Sequence, residues 1–167
     1  MDKQPISNTP ASTTSLTFHR STGDQLSATQ VYDLLRLRVD VFVVEQACPY
    51  AEVDGLDLLP TTEHLWLADD HGVAATVRLL DDPAGRRIGR VATRFDCRGQ
   101  RLAGQLLDEA LITIGEGASL LEAQSYLVDF YASFGFEPAG AEYLEDGIPH
   151  VPMVRAAQSA SQKQNAS

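Results

Sequence analysis

A turn between a predicted strand and a predicted helix contains the residues of this chain that are best suited to bind an anion. The stretch RVATRFDCRGQRLAGQLLDEAL begins at Arg90 and places residues 98–104 at this junction. The first turn of a helix has backbone N–H groups without partners and the positive end of the helix dipole. Gly99 and Gly104 leave little side chain between these groups and an approaching anion. The turn is therefore suited to a phosphate or pyrophosphate, and no lysine is required.

Arginines are concentrated around this turn. Seven of them lie between residues 78 and 101, against three acids, although the whole chain has a formal net charge of -10. Guanidinium groups match the oxygens of phosphate, so the cluster favours a bound small anion. A solvated basic face fits the same pattern, and charge alone does not separate the two interpretations. The acidic remainder argues against a nucleic-acid partner, which requires an extended basic surface.

Hydrophobic periodicity predicts the elements that position this turn. Strands are expected at residues 15–20, 64–70, 72–80, 88–95, 119–123 and 150–155, with a further extended segment from Phe136 onward. Helices are expected from a cap at Ser27 to near Glu45, over 101–115 and over 126–134. Residues 48–63 are expected to form a loop with at most one short turn, because they contain Pro, Gly and Asp. This order of elements predicts an α/β fold with a mixed sheet and helices on both faces.

Composition limits the class of protein. A chain of 167 residues fits one domain, expected over residues 15–156, and the Ser-, Pro- and Gln-rich stretches 1–14 and 157–167 are predicted to be disordered tails. No apolar stretch is long enough for a membrane span, and the first residues lack the apolar core of a secretory signal. With only two cysteines, Cys48 and Cys97, a cytoplasmic location is expected.

Four segments resemble the GNAT superfamily of N-acetyltransferases. RGQRLA at the turn is similar to that family's acyl-CoA signature, [QR]-x-x-G-x-[GA], and QSYLVDFYASFGF (124–136) is similar to its second signature. LRVDVFVVEQACPYAEVDGLD (37–57) and EYLEDGIPH (142–150) resemble the ElaA-like subgroup. The resemblance covers residues 16–155 and implies a single GNAT-like domain with a mixed, mostly antiparallel central sheet.

The resemblance also implies a site for acetyl-CoA as co-substrate. The backbone of the turn would hold the pyrophosphate, the strand edge would pair with the pantetheine arm, and two side chains from the second signature would flank the cofactor. The expected residues are Val91, Ala92, Thr93, Arg98, Gly99, Gln100, Arg101, Leu102, Ala103, Gly104, Gln124 and Phe130. Arg101 departs from the pattern, because the family has glycine there, so its side chain must point away from the pyrophosphate or contact a phosphate itself.

Three side chains are candidates for proton transfer. Tyr131 matches the family's general acid, which would protonate the leaving thiolate; a core aromatic residue is the alternative role. Glu45 and His64 are candidate bases for an amine acceptor. Burial of Glu45 among apolar residues would raise the pKa of its carboxyl group, and His64 begins a strand beside the expected cleft. A helix-end hydrogen bond and a structural histidine are the respective alternatives, and the sequence predicts no metal site.

These expectations favour an acetyl-CoA-dependent N-acetyltransferase that transfers acetyl to a primary amine of a small molecule or peptide by direct attack in a ternary complex. A non-catalytic acyl-CoA-binding or sensing domain is the alternative, since it would keep the turn without depending on Tyr131. An enzyme that uses a larger acyl group or a hydroxyl acceptor is a further alternative. The acidic body favours cationic acceptors, and an exposed sheet edge would permit a homodimer.

Overall fold

Strands and helices alternate around one sheet in the computed structural model, which describes residues 15–158. The strands are β1 (Thr17–Thr22), β2 (Glu63–Asp69), β3 (Gly72–Asp82), β4 (Gly85–Thr93), β5 (Ser119–Gln124), β6 (Glu137–Pro138), β7 (Tyr143–Glu145) and β8 (Ile148–Arg155). The helices are α1 (Ala28–Arg38), α2 (Leu102–Ile114) and α3 (Val128–Ala132). The predicted disordered tails, 1–14 and all but two residues of 157–167, lie outside the described residues.

The sheet is mixed and mostly antiparallel. Its strand order is β1-β2-β3-β4-β5-β8-β6, with β7 also paired to β8. The contact between β4 and β5 is parallel, and every other strand pair in the described part of the chain is antiparallel. The predicted α/β architecture with a mixed, mostly antiparallel sheet is therefore confirmed.

The helices pack on both faces of the sheet, as predicted. Side chains alternate along a strand, so Leu65 and Leu67 of β2 join the core cluster that contains α2, whereas Trp66 joins the cluster that contains Leu34 and Leu37 of α1. Apolar burial on each face, at about 25 cal/mol per Å², holds the layers together.

Helix α1 begins at the predicted cap. The Gln30 N–H donates to Ser27 Oγ at 3.2 Å, and the Ser27 N–H donates to Gln30 Oε1 at 2.9 Å, which forms a capping box. The helix does not simply continue to Glu45, because residues Val39–Glu45 form a π-helical segment. Such segments are rare and occur often at functional sites.

Most predicted elements differ from the observed ones by a few residues at their ends, and in two of them a 3₁₀ turn replaces part of the predicted element. The strand expected at 88–95 begins earlier, at Gly85, where it pairs with β3, and it ends at Thr93 before a 3₁₀ turn at Phe95–Cys97. The helix expected over 126–134 is a 3₁₀ turn at Ser125–Leu127 followed by the short helix α3. Both differences lie at element ends, where sequence signals are weakest.

Candidate active site

Strands β4 and β5 separate soon after they meet, and the gap between them is a cavity. Their pairing is confined to Arg86 with Ser119 and Arg87 with Leu120. Beyond these pairs, residues 88–93 of β4 and several residues of β5 line a cavity of about 800 Å³. We call it the main cavity. Its volume lies within the range of small-molecule sites, roughly 300–1,000 Å³.

A bulge in β4 forms part of the wall of the main cavity. The pairing of β4 with β3 shifts register between Thr76 and Arg78, and Arg90 has a positive φ of 52°. A residue other than glycine in this region is strained, and such strain persists where the surroundings hold it, often at functional sites. The Arg90 guanidinium donates from Nε to Glu52 Oε1 at 3.0 Å and lies over the Tyr50 ring at 5.7 Å. These contacts hold the bulge in place.

The predicted anion-binding turn has a cavity of its own, of about 280 Å³. We call it the turn cavity. Gly99, Arg101, Leu102 and Gly104 line it, and four further residues line both cavities: Thr93, Arg98, Ala103 and Phe130. Because the two cavities share these walls, one extended molecule can occupy the strand gap and the N-terminus of α2 together.

Arg101 adopts the backbone conformation that glycine adopts most easily. It is the residue before α2 and has φ 59° and ψ 22°, in the left-handed region. The glycine of the family pattern at this position therefore has a conformational reason. The Arg101 side chain is exposed, lines the turn cavity and makes no hydrogen bond or ion pair with the residues 15–158.

The other six arginines of the cluster are neutralised within the chain. They pair as Arg78 with Asp54 and Asp57, Arg86 with Glu63 and Asp81, Arg87 with Asp82 and Glu122, Arg90 with Glu52 and Asp54, Arg94 with Asp69 and Asp96, and Arg98 with Glu45. The cluster is thus not a free basic face. Arg101 is its one cation without a carboxylate partner in the described part of the chain.

Tyr131 lies on α3 with its ring in the core and lines the main cavity. It is 6% exposed, and its ring packs edge-on against Phe130 and Phe136 at centroid distances of 5.1 and 6.3 Å. Burial raises the pKa of the phenol above its usual value, so the hydroxyl keeps its proton at neutral pH. The hydroxyl makes no hydrogen bond within residues 15–158, which leaves it available to a bound molecule.

The comparisons with known proteins agree with this geometry. Residues 37–157 match the family model described as the acetyltransferase (GNAT) domain. The chain belongs to the GNAT family. The GNAT domain is 51% identical over 135 residues to a UPF0039 protein of Mycobacterium tuberculosis, covering 78% of this chain and 86% of the relative. It is 42% identical over 140 residues to the protein ElaA of Escherichia coli, covering 78% and 90%.

A solved structure shows the same fold. The crystal structure of an acyl-CoA N-acyltransferase from Pseudomonas aeruginosa superposes with a TM-score of 0.81 at 42% identity, covering 85% of this chain and all of that one. Family and fold together support acyl-CoA N-acyltransferase activity. No helix within residues 15–158 is long and apolar enough to cross a membrane, and the same residues contain no group of three His, Cys, Asp or Glu placed to hold a metal ion.

Glu45 lines the main cavity of the GNAT domain, but the expected burial is wrong. Its side chain is 44% exposed at the end of the π-helical segment. Both carboxylate oxygens accept hydrogen bonds from the Arg98 guanidinium, each at 2.7 Å. Arg98 lowers the pKa of this carboxyl group, which is opposite to the expected direction and makes Glu45 a weaker base. The sequence signal failed because this end of the π-helical segment is exposed, with Val44 itself 68% exposed, and because the partner Arg98 is 53 residues distant.

His64 does not lie at the cleft, which corrects its expected position. It is 1% exposed and lines neither cavity. Its Nε2 donates to the backbone oxygen of Asp57 at 2.9 Å, and burial lowers the pKa of the imidazole. The ring is covered by the loop that contains Asp57. Of the residues expected to contact the cofactor, Gln100 also lines neither cavity, and the other eleven line one or both.

Another part of the wall of the main cavity comes from five segments that sequence reasoning did not place together. It includes Tyr50 and Asp54 of the loop after the π-helical segment, Arg78 and Arg87 of β3 and β4, Glu122 of β5, and Glu145, Asp146 and His150 of the β7–β8 hairpin. Gln46 and Gln124 join two of these segments, because their side-chain amides donate to each other at 3.2 and 3.4 Å. In the sequence, EQACPYAEVDGLD and EYLEDGIPH lie in the two segments that resemble the ElaA-like subgroup, and this resemblance could have indicated that they share a site.

Proposed function

We propose that this protein is an acetyl-CoA-dependent N-acetyltransferase that moves the acetyl group from the CoA thioester to a primary amine by direct attack in a ternary complex. The observation that carries the proposal is the gap between β4 and β5, which joins the turn cavity to an unpartnered Tyr131 hydroxyl. A thioester that occupied this gap would lie within reach of an acid and of the free strand edge.

The turn supplies the features that the phosphates of CoA require. Backbone N–H groups of residues 98–104 would bind the pyrophosphate at the start of α2. Gly104 lines the turn cavity and has no side chain, which favours close approach of a phosphate to the backbone there. Arg101 would contribute a phosphate contact, since its guanidinium is free of carboxylates in the described residues.

The strand edge supplies the remaining contacts. Val91, Ala92 and Thr93 lie beyond the last β4–β5 pair, so their backbone groups on that side have no strand partner. They would pair with the amide groups of the pantetheine arm, with Gln124 and Phe130 beside it. Backbone N–H groups at the bulge would polarise the thioester carbonyl as charge develops on its oxygen.

Tyr131 would complete the reaction as general acid. The amine nitrogen forms a bond to the carbonyl carbon, the carbon–sulfur bond breaks, and the phenol proton passes to the leaving thiolate. The nitrogen loses a proton as the amide forms, and this proton restores the phenol. A raised phenol pKa keeps the acid protonated until the thiolate appears.

A thiol-release assay with acetyl-CoA and a panel of primary amines tests the function, alongside calorimetric titration with CoA. We expect CoA binding and amine-dependent thiol release. Tyr131→Phe should lower kcat on the order of 10²–10⁴-fold with little change in CoA affinity. The matched control is Tyr32→Phe on the exposed face of α1, where Tyr32 is 65% exposed and lines neither cavity.

The other outcomes separate the alternatives. CoA binding without thiol release, together with wild-type behaviour of Tyr131→Phe, would favour a binding or sensing domain. Absence of CoA binding would overturn the placement of the cofactor in the turn and with it the proposed function. Faster release with longer acyl-CoA esters would identify a larger acyl group as the one transferred.

A further inference from the structure

His150 is a histidine in the main cavity whose two ring nitrogens have different surroundings. It lies on β8 directly opposite Gln124 of β5, is 9% exposed and lines the cavity together with Tyr131. Its Nδ1 is 2.8 Å from the backbone oxygen of Ile148. A carbonyl oxygen only accepts hydrogen bonds, so in the neutral ring Nδ1 carries the hydrogen and Nε2 carries the lone pair.

The Nε2 atom is free to accept a proton. It makes no hydrogen bond within residues 15–158, and the carboxylate of Glu145 is 4.0 Å away. A neighbouring carboxylate stabilises an imidazolium once it forms. The arrangement matches what a general base requires, namely a fixed tautomer, an accessible lone pair and a nearby negative charge.

We propose that His150 is the general base that removes a proton from the acceptor, that Glu145 is its positioning residue, and that the acceptor is a protonated primary amine. This inference rests on the proposed N-acetyltransferase function. Nε2 accepts one proton from the ammonium group, which leaves a neutral amine and an imidazolium. The amine then attacks the thioester, Tyr131 protonates the sulfur, and the imidazolium releases its proton to solvent.

The surroundings of His150 favour a cationic acceptor. Glu145 and Asp146 line the cavity and have no arginine partner in the described part of the chain, whereas the nearby Asp54 is paired with Arg78. The groups that face His150 are Glu145 and Tyr143 on β7, and Glu122 on β5, which accepts a hydrogen bond from the Tyr143 hydroxyl at 2.9 Å. An ammonium group can be bound by these carboxylates and can also give a proton to Nε2 of His150.

The pH dependence of kcat/KM tests this role, measured with acetyl-CoA and a primary amine that the wild-type protein acetylates. We expect wild-type activity to fall on the acid side, as the base becomes protonated. His150→Gln should lower kcat on the order of 10²-fold or more and remove this acid limb, with CoA affinity unchanged. His71→Gln is the matched control, because His71 is exposed in the β2–β3 turn and lines neither cavity.

Glu145→Gln gives a second test that does not depend on a buried substitution, because the Glu145 side chain is 56% exposed. Because Glu145 is the positioning residue, its change to Gln should lower kcat with CoA affinity unchanged, and Glu145→Asp should restore part of the loss. An active wild-type protein whose acid limb persists in His150→Gln, and whose kcat is unchanged in Glu145→Gln, would overturn the role of His150 alone. CoA binding with no thiol release from any amine would overturn the proposed function and this role together.

Discussion

Arg101 combines a conformational cost with a free charge at the same position. A left-handed backbone costs an L-residue about 1–2 kcal/mol, and this residue has φ 59°. Its guanidinium has no carboxylate partner among residues 15–158. The chain thus has a residue with a strained backbone at a position where glycine would fit without strain. A contact between the Arg101 guanidinium and a phosphate would explain why.

Two substitutions separate these effects. Arg101→Gly should raise the free energy of unfolding by about 1 kcal/mol, because glycine relieves the left-handed strain, and should weaken CoA binding. Arg101→Ala should weaken CoA binding to a similar extent without the gain in stability, since it keeps the Cβ atom. Urea unfolding and calorimetric titration measure the two quantities. CoA affinity equal to wild type in both variants would show that the guanidinium does not contact a phosphate.

At the scale of elements, the gap between β4 and β5 depends on where the two strands stop pairing. Gly85 begins β4, and an added Cβ there would lie 2.3 Å from the backbone oxygen of Ala118, just before β5. The same oxygen accepts a hydrogen bond from the Arg86 N–H at 3.0 Å. This close approach holds the closed end of the gap together.

Gly85→Ala should therefore lower the free energy of unfolding by about 1–3 kcal/mol, as expected for overpacking against backbone that cannot move aside. Gly89→Ala, on the same strand, is the matched control. An added Cβ at Gly89 meets nothing within 4 Å, so its stability should stay within about 0.5 kcal/mol of wild type. Urea unfolding measures both variants. Equal stability of the two would show that the close approach of Gly85 to Ala118 does not contribute to the free energy of unfolding.

The elements also explain which half of the site could be predicted. The proposed cofactor half is mostly local in sequence, because ten of its twelve expected residues lie within 91–104, on one strand, one turn and one helix. Its signature can be found in a single stretch. The acceptor half is assembled across the chain, since Gln46 contacts Gln124 and the Cys48 thiol lies 3.6 Å from the backbone oxygen of Asp146. No spacing rule predicts such contacts, so neighbouring residue types point to Glu45 and His64 and do not point to His150, the base proposed above.

At the scale of the whole molecule, arginines of this acidic chain form ion pairs with carboxylates inside the fold. Arg38, which is 1% exposed, binds Glu52 and Asp57, and Arg78 binds Asp54 and Asp57. These contacts attach the loop after the π-helical segment to α1 and β3. Because buried charges are stable only when paired, this part of the wall of the main cavity and the folded state depend on the same ion pairs.

This dependence predicts the pH range of acid unfolding. Burial alone would raise the pKa of Asp54, but hydrogen bonds from Arg78 and the Leu56 N–H lower it to about 2 from an ordinary value of 3.8. A carboxyl pKa lowered by folding adds stability that is complete above the unfolded value and is lost as pH falls through the folded value. Because Asp54 is partly exposed and solvent screens its ion pair, we expect it to contribute about 1 kcal/mol at neutral pH, lost between about pH 4 and pH 2.

Asp54→Asn removes this contribution, so its unfolding free energy should be lower than wild type at pH 7 and should fall less steeply between pH 4 and pH 2. Asp108→Asn is the matched control, because Asp108 is exposed on α2 and has no ion pair with the described residues. Its curve should run parallel to wild type. Urea unfolding at a series of pH values measures all three. If the Asp54→Asn curve also ran parallel to wild type, the Arg78–Asp54 pair would not be what links folding to pH.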